Sequence, residues 1–170
     1  MGTELQERYD VVLLVEQALT AADAAQVRAL HESLDAVVVY HVLLPMADAA
    51  AAVEASLGVM GGADLMAPAV TPSTAEIEAM REENRERAER ELAATVAALE
   101  ATGATVGEGT IVAGPPVDAL IAKVGEVSGS EAIVLTRPHV VAEFFHVDWT
   151  SRARRKLGVP VLHLLEHEPA

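Results

Sequence analysis

The sequence predicts an α/β protein built on a five-stranded parallel sheet with helices on both faces. Short runs of consecutive apolar, β-branched residues, such as VVLLV at Val11–Val15, indicate strands that are buried on both faces, because a strand with one solvated face would alternate. These runs alternate along the chain with segments whose apolar residues recur at helical spacing. Strands and helices in alternation predict right-handed βαβ units, and therefore a parallel sheet.

The first βαβ unit lies between Val11 and Pro45. A helix is predicted over Thr20–Leu34, where Thr20 and Asp23 resemble a capping box. Its expected apolar face comprises Ala24, Val27, Leu30 and Leu34. The second strand is expected at Ala36–Leu44 and is stopped by Pro45.

The middle of the chain contains a variable segment and a long helix. Residues 46–72 are Ala-rich, with a Gly pair and two prolines at the end, and we interpret them as a mobile insertion within a single domain of 1–170. The following helix is predicted over Ser73–Thr102, with Ser73 as N-cap, Glu76 completing a capping box and Gly103 as the stop. The expected apolar stripe comprises Ile77, Met80, Ala88, Leu92, Val96 and Leu99.

The second half repeats the pattern with shorter units. We expect strands at Ala104–Val112, Ala132–Thr136 and Val159–Leu165, with helices at Pro115–Ser128 and Thr150–Leu157 between them. Ligands of such sheets bind beyond the carboxyl ends of the strands, where the strand order reverses. Any site is therefore expected at these ends.

Composition excludes several functional classes. The net charge is −14, from 12 basic and 26 acidic residues, so binding to nucleic acid over a broad surface and binding to anionic membranes are both disfavoured. The absence of Cys excludes disulfides and thiolate chemistry. The polar N-terminus does not have the pattern of a signal peptide, and no apolar run reaches the length of a membrane span, so we expect a cytoplasmic protein.

Four segments together carry a resemblance to a known family. They are YHVLLP at Tyr40–Pro45, VAGPPVDALIAKV at Val112–Val124, SEAIVL at Ser130–Leu135 and GVPVLHL at Gly158–Leu164. In this order and spacing the chain resembles the universal stress protein family from Asp10 to Leu165. The resemblance implies an adenine-nucleotide-hydrolase-like sheet with strand order 3-2-1-4-5, and a homodimer formed through the last strand, Val159–Leu165.

One branch of that family binds ATP, and its site is only partly matched here. The family's Asp after strand one is replaced by Glu16, and its Val after strand two is matched by Val42. The glycines of its phosphate loop fall on Thr136 and His139, and its Gly-Ser pair falls on Val147 and Asp148. Added Cβ atoms at these positions keep the backbone away from a phosphate.

The expectation that ATP is not bound in the manner of the family depends on Asp148. The N-terminus of a helix favours one anion, and an aspartate there caps its own helix and fills that position itself. We therefore expect no cofactor and a vestigial site. The alternative is ATP or AMP bound by Glu16 and Val42, with Thr150 or Ser151 as substitute phosphate donors.

The loop between the fourth strand and the last helix could have a different ligand site in place of the nucleotide site. Arg137, His139, His146 and Asp148 are candidates for binding a small anion or a metal ion. The spacing matches no established ligand signature, and we favour an Arg137–Asp148 ion pair without a metal. Trp149, with Phe144 and Phe145, is expected to fill the crevice and to be buried.

The sequence contains no motif of a known catalytic class. It has no P-loop, no G-x-G-x-x-G and no serine on a strand-to-helix elbow. The resemblance therefore implies a non-enzymatic, stress-associated regulatory or scaffolding protein.

Overall fold

A single parallel sheet organises the chain. The computed structural model describes residues 6–46, 73–136 and 154–167. The strands are β1 (Arg8–Val15), β2 (Val37–Pro45), β3 (Thr105–Val112), β4 (Glu131–Thr136) and β5 (Val161–Leu165). They are all parallel, in the order β3-β2-β1-β4-β5, which confirms the predicted fold class.

Helices cover both faces of this sheet. They are α1 (Ala21–Ala29), α2 (Thr74–Ala101) and α3 (Pro116–Val127). Helices α1 and α2 pack on one face, which we call the α1/α2 face, where buried Val27 and Leu99 join the core. Helix α3 packs on the other, the α3 face, through Leu120 and Val124. The chain moves across the sheet in one direction from β1 to β2 to β3, and in the other direction from β3 to β4. With right-handed crossovers, this change of direction places α1 and α2 on one face and α3 on the other.

Helix α1 is shorter than the sequence predicts. Ala24 and Val27 are buried as expected, but the helix ends at Ala29. The chain then turns, and the expected apolar positions Leu30 and Leu34 are 42% and 40% exposed. The prediction was wrong there because the chain continues in turns after Ala29, which leave Leu30 and Leu34 at the surface, while the buried His31 contacts Tyr40 and Glu131.

Helix α2 begins and ends as predicted. The Ser73 hydroxyl accepts a hydrogen bond from the Glu76 N–H, and the Glu76 carboxylate accepts one from the Ser73 N–H, which completes the capping box. Gly103, with φ of 86°, follows the last turn in a left-handed conformation that favours glycine. At 28 residues the helix extends over about 42 Å, longer than any strand. Its N-terminal half therefore projects beyond the core, and the predicted core residues Ile77 and Met80 are 36% and 58% exposed.

The remaining elements follow the prediction within a few residues. Helix α3 ends at Val127, and its C-cap is Ser128, whose φ is 51°. Residues 154–157, at the end of the last predicted helix, are helical. The interpretation of residues 46–72 as an insertion falls almost wholly outside the described residues. No helix in the described ranges is long and apolar enough to cross a membrane.

Strand β3 contains a bulge opposite β2. The register shifts between Tyr40 and Val42, where Gly107 and Glu108 together oppose His41. A Cβ placed on Gly107 would lie 2.7 Å from His41 Cε1. The imidazole has little freedom to move, because its Nε2 lies 2.7 Å from Asp10 Oδ1. Glycine at this position is therefore required by the close approach of the ring.

We expect Gly107→Ala to lower the free energy of unfolding by about 1–3 kcal/mol, as overpacking in a core does. The control is Gly125→Ala within α3, where an added Cβ meets nothing within 4 Å. That change replaces a helical glycine and should stabilise by up to about 1 kcal/mol. Urea denaturation of both variants measures the difference. Equal midpoints would show that the His41 contact does not constrain β3.

Candidate functional site

The carboxyl ends of the strands lie along one edge of the sheet, which we call the carboxyl edge. Strand order reverses between β1 and β4, the place where ligands bind in open parallel sheets. Val15, the last residue of β1, is in register with Leu135. Glu16 and Thr136 therefore follow on neighbouring strands, and the structure brings these two predicted residues together.

Val42 lies elsewhere in the sheet. Its backbone is in register with Leu13 on one side and Gly109 on the other, three residues before the end of β2. Its side chain has no exposed surface and belongs to the core of the α1/α2 face. In this arrangement neither its side chain nor its backbone faces the carboxyl edge.

The other predicted site residues lie outside the described residues. They are Arg137, His139, His146 and Asp148. The Arg137–Asp148 pair and the burial of Trp149 stay predictions for the same reason. In the described part of the chain, no three His, Cys, Asp or Glu side chains are grouped to hold a metal.

The hydroxyl of Thr136 is engaged by the neighbouring strand. Its Oγ1 lies 2.7 Å from Nε2 of His163 on β5. Thr136 is 4% exposed, and burial lowers the pKa of His163. The hydroxyl and the imidazole share this hydrogen bond, so the pair holds β4 to β5 at the carboxyl edge.

The N-terminus of α1 carries a carboxylate of the protein itself. Thr20 is the N-cap, and its hydroxyl accepts a hydrogen bond from the Asp23 backbone and donates one to Asp23 Oδ2. Asp23 Oδ1 accepts the backbone N–H of His167 at 2.9 Å and lies 2.7 Å from His167 Nδ1. The carboxylate is 1% exposed. We call the Asp23–His167 contact the tail clasp.

The tail clasp stabilises the ionised form of Asp23. Burial alone would raise the pKa of this carboxyl, but hydrogen bonds from His167 and Thr20 outweigh it and hold the pKa below its usual value. The chain leaves β5, donates the Glu166 N–H to the Thr136 carbonyl at 2.9 Å, and reaches α1 at His167. The tail thus crosses from β4 to the start of α1 and closes that part of the carboxyl edge.

The loop between β1 and α1 is fixed as well. The Leu19 N–H donates to Thr95 Oγ1 at 3.1 Å, and the Thr95 hydroxyl donates to the Glu91 carbonyl at 2.9 Å. Thr95 has no exposed surface. This contact ties the loop that follows Glu16 to the middle of α2.

A buried polar network lies at the opposite edge of the sheet. The Nδ1 atom of His31 lies 2.7 Å from Tyr40 Oη, and its Nε2 lies 3.0 Å from Glu131 Oε2. Tyr9 donates a further hydrogen bond to Glu131 Oε2 at 3.0 Å. These four residues, which we call the amino-edge network, join β1, β2, β4 and the turn after α1.

The amino-edge network holds its carboxylate ionised. The hydrogen bond from His31, helped by Tyr9, lowers the pKa of Glu131 against the effect of burial. Burial raises the pKa of Tyr40 to about 12, so its hydroxyl stays neutral. Sequence reasoning missed this network, because the positions of His31 and Glu131 give no signal that they meet across 100 residues.

A second histidine–carboxylate pair joins β1 and β2 on the α3 face. His41 Nε2 lies 2.7 Å from Asp10 Oδ1, and Arg8 donates to both Asp10 oxygens. Burial would raise the pKa of Asp10, but the hydrogen bonds from Arg8 and His41 lower it overall. His41 is 5% exposed, so this pair holds the two strands together.

The sheet order, the crossover hands and the reversal between β1 and β4 define the fold of universal stress proteins. A universal stress protein from Archaeoglobus fulgidus is similar at 15% identity and a TM-score of 0.52, with 91% of this chain and 92% of that chain covered. A family member from Arabidopsis thaliana with AMP bound is similar at 14% identity and a TM-score of 0.50, with 93% and 92% covered.

A universal stress protein in complex with cAMP is similar at 15% identity and a TM-score of 0.50, with 94% of this chain and 99% of that chain covered. These similarities show that the chain has the universal stress protein fold, which the sequence resemblance predicted. No protein-family model and no curated protein matches the sequence.

We expect Glu131→Gln to lower the free energy of unfolding at pH 7 by about 1–3 kcal/mol, because the buried partners lose a charged acceptor. The pKa of Glu131 is lower in the folded protein than its ordinary value of 4.5. Its contribution is therefore fully present above pH 4.5 and is lost as the pH falls further, through the lower pKa that Glu131 has in the folded protein.

The effect is measured by urea denaturation of the wild type and of this variant between about pH 3 and pH 7. This range covers about four pH units across the pKa of a carboxyl group. The two curves should converge below the ordinary pKa of Glu131. Glu32→Gln is the control, since Glu32 is an exposed carboxylate on the same turn as His31. A constant difference at all pH values would show that the charge of Glu131 contributes nothing.

Proposed function

We propose that this chain is a non-enzymatic, stress-associated regulatory or scaffolding protein of the universal stress protein type, and that it does not bind ATP. The observation that carries the proposal is the tail clasp. The start of α1 faces the carboxyl edge, and its first turn already carries the carboxylate of Asp23, which the chain's own tail holds in place.

A bound polyphosphate would meet two costs at this edge. The dipole of a helix N-terminus favours one negative charge in the first turn, and at α1 that charge is Asp23, while the Thr20 hydroxyl already accepts the Asp23 N–H. A phosphate placed there would have to displace His167 and lie beside a buried like charge. The burial of Val42 supports the proposal too, because the residue matched to the family's adenine contact is enclosed in the core.

The non-enzymatic part of the proposal rests on access. Within the described residues, the hydroxyl and imidazole that pair at the carboxyl edge are Thr136 and His163. A nucleophile activated in this way must reach a substrate. At 4% exposure the Thr136 side chain is covered, so the pair serves to join β4 and β5.

The alternative function is ATP or AMP binding. It is favoured by the fold relatives that hold AMP and cAMP, and by the adjacency of Glu16 and Thr136 at the reversal point. A nucleotide bound there would contact Glu16, with Thr150 or Ser151 as phosphate donors and without Val42.

We expect the purified protein to release no nucleotide on denaturation and to give no heat with ATP or AMP. Mass spectrometry of the released small molecules and titration calorimetry measure these two quantities. The physical reasons are that the first turn of α1 already carries the Asp23 carboxylate held by His167, and that Asp148 is expected to fill the anion position at the last helix, where the family's phosphate loop lies. Recovery of about one nucleotide per chain would mean that the site is fully occupied. That result would establish the alternative function instead.

We also propose that the protein forms a homodimer through β5. In the described residues β5 pairs only with β4, so its outer edge is open. Leu165 on this strand is 50% exposed. An open apolar edge invites strand pairing, and a symmetric dimer satisfies it in a closed way.

Light scattering after size exclusion should give twice the chain mass of 17.9 kDa. Leu165→Asp should shift the mass to that of one chain, because it places a charge at the strand edge. Met80→Asp is the matched control, since Met80 is an exposed apolar residue, at 58%, on α2. A wild-type monomer, or equal effects of the two variants, would contradict a dimer through β5.

A further inference from the structure

The edge of the sheet opposite β5 is formed by β3, which pairs with β2 alone among the described strands. The Val112 carbonyl accepts the Met46 N–H at 2.9 Å, so the backbone groups of Val112 point inward to β2. Successive residues of a strand point to alternate sides. The N–H and C=O of Gly109 and Ile111 therefore point outward, and within the described residues these two donors and two acceptors are left for a further strand.

A groove runs beside this open edge, between β3 and α2. It has a volume of about 440 Å³, and its floor is apolar. The floor is made by Leu92, Ala93, Val96 and Ala97 of α2 and by Gly109 of β3. Gly109 contributes because a Cβ there would lie 3.1 Å from Leu92 Cδ1, so a larger residue would press into the helix.

Two carboxylates border the groove. Glu89 and Glu100 line it, and no basic side chain does so among the described residues. Their positions on α2 separate them by about 16 Å along the helix axis, which is the length of about five residues of extended chain. The groove thus combines an apolar centre with an acidic residue towards each end.

We propose that the β3 edge and this groove receive an extended segment of a partner protein, which adds to the sheet as a sixth strand. The outward groups of Gly109 and Ile111 would bind its backbone, and the groove would accept every second side chain. Charge complementarity with Glu89 and Glu100 selects a segment with small apolar residues in its centre and Lys or Arg towards its ends.

This inference names the kind of partner for the scaffolding role proposed above, and it rests on that role for its biological meaning. It does not depend on the tail clasp or on the β5 dimer, because those features lie at other edges of the sheet. The peptide-binding test below gives its result whether or not the protein binds nucleotide. Failure of the proposed function and failure of this inference are therefore distinguishable.

The probe is a labelled synthetic peptide of about seven residues, which spans the groove in extended form. It carries Lys at both ends, Val at its third and fifth positions and Thr elsewhere. A control peptide of the same composition has its Val residues at the second and fourth positions, so that they face away from α2. Fluorescence anisotropy measures the affinity of each peptide for the full chain, and amide NMR shifts locate the contact.

We expect saturable binding of the probe, with the largest shifts at the amides of Gly109 and Ile111. Glu89→Lys combined with Glu100→Lys should weaken it about tenfold, because two attractions become repulsions. The matched control is Glu78→Lys with Glu82→Lys, which makes the same charge change at exposed positions of α2 outside the groove. That variant should keep the wild-type affinity within about twofold.

Three results would overturn the proposal. One is the absence of saturable binding at millimolar peptide. Another is equal weakening by the two double variants, which would mean that the net charge of −14 attracts the peptide without a site. The third is equal affinity for the control peptide, or shifts confined to β5.

Discussion

The rest of the structure depends on the complete burial of the central strand. The five residues Val11–Val15 are at most 5% exposed, and β2 and β4 flank them on either side. A strand without polar side chains must be covered on both faces, which requires crossover helices above and below the sheet. It also leaves little room for chemistry inside the sheet, so polar groups gather where the strands begin and end.

At both ends of the strands the polar groups are used to hold the fold. Three histidine–carboxylate pairs join elements far apart in the chain: His31 with Glu131, His41 with Asp10, and His167 with Asp23. In each pair the hydrogen bonds keep the pKa of the carboxyl below its usual value in spite of burial. A charge that is buried and paired is costly to release, so these contacts fix the geometry of the edges.

This use of the carboxyl edge sets the chain apart, in our proposal, from fold relatives that hold AMP or cAMP. A shared sheet supplies a helix N-terminus at the point of strand reversal, and what occupies that terminus decides the function. Here it is the chain's own aspartate, fastened by its own tail. In the part of the chain that the structure describes, the outer strands of the sheet are β5, with its exposed Leu165, and β3, with its groove.

The sequence by itself determined the fold, because strand burial, helix caps and stop signals are local features. The continuous apolar runs predicted the strands, Ser73 with Glu76 fixed the start of α2, and Gly103 fixed its end. The same local signal failed at Leu30 and Leu34, where turns replace the helix and the buried His31 takes partners on β2 and β4.

The positions of Glu16 and Thr136 at neighbouring strand ends could be predicted, because strand ends can be read from the chain, and their role in a site stays a prediction. Tertiary structure alone decided that Val42 is enclosed and that His167 reaches Asp23 across 144 positions. Such contacts arise from how the strands are ordered in space. A pairing between distant residues leaves no trace in the neighbourhood of either one.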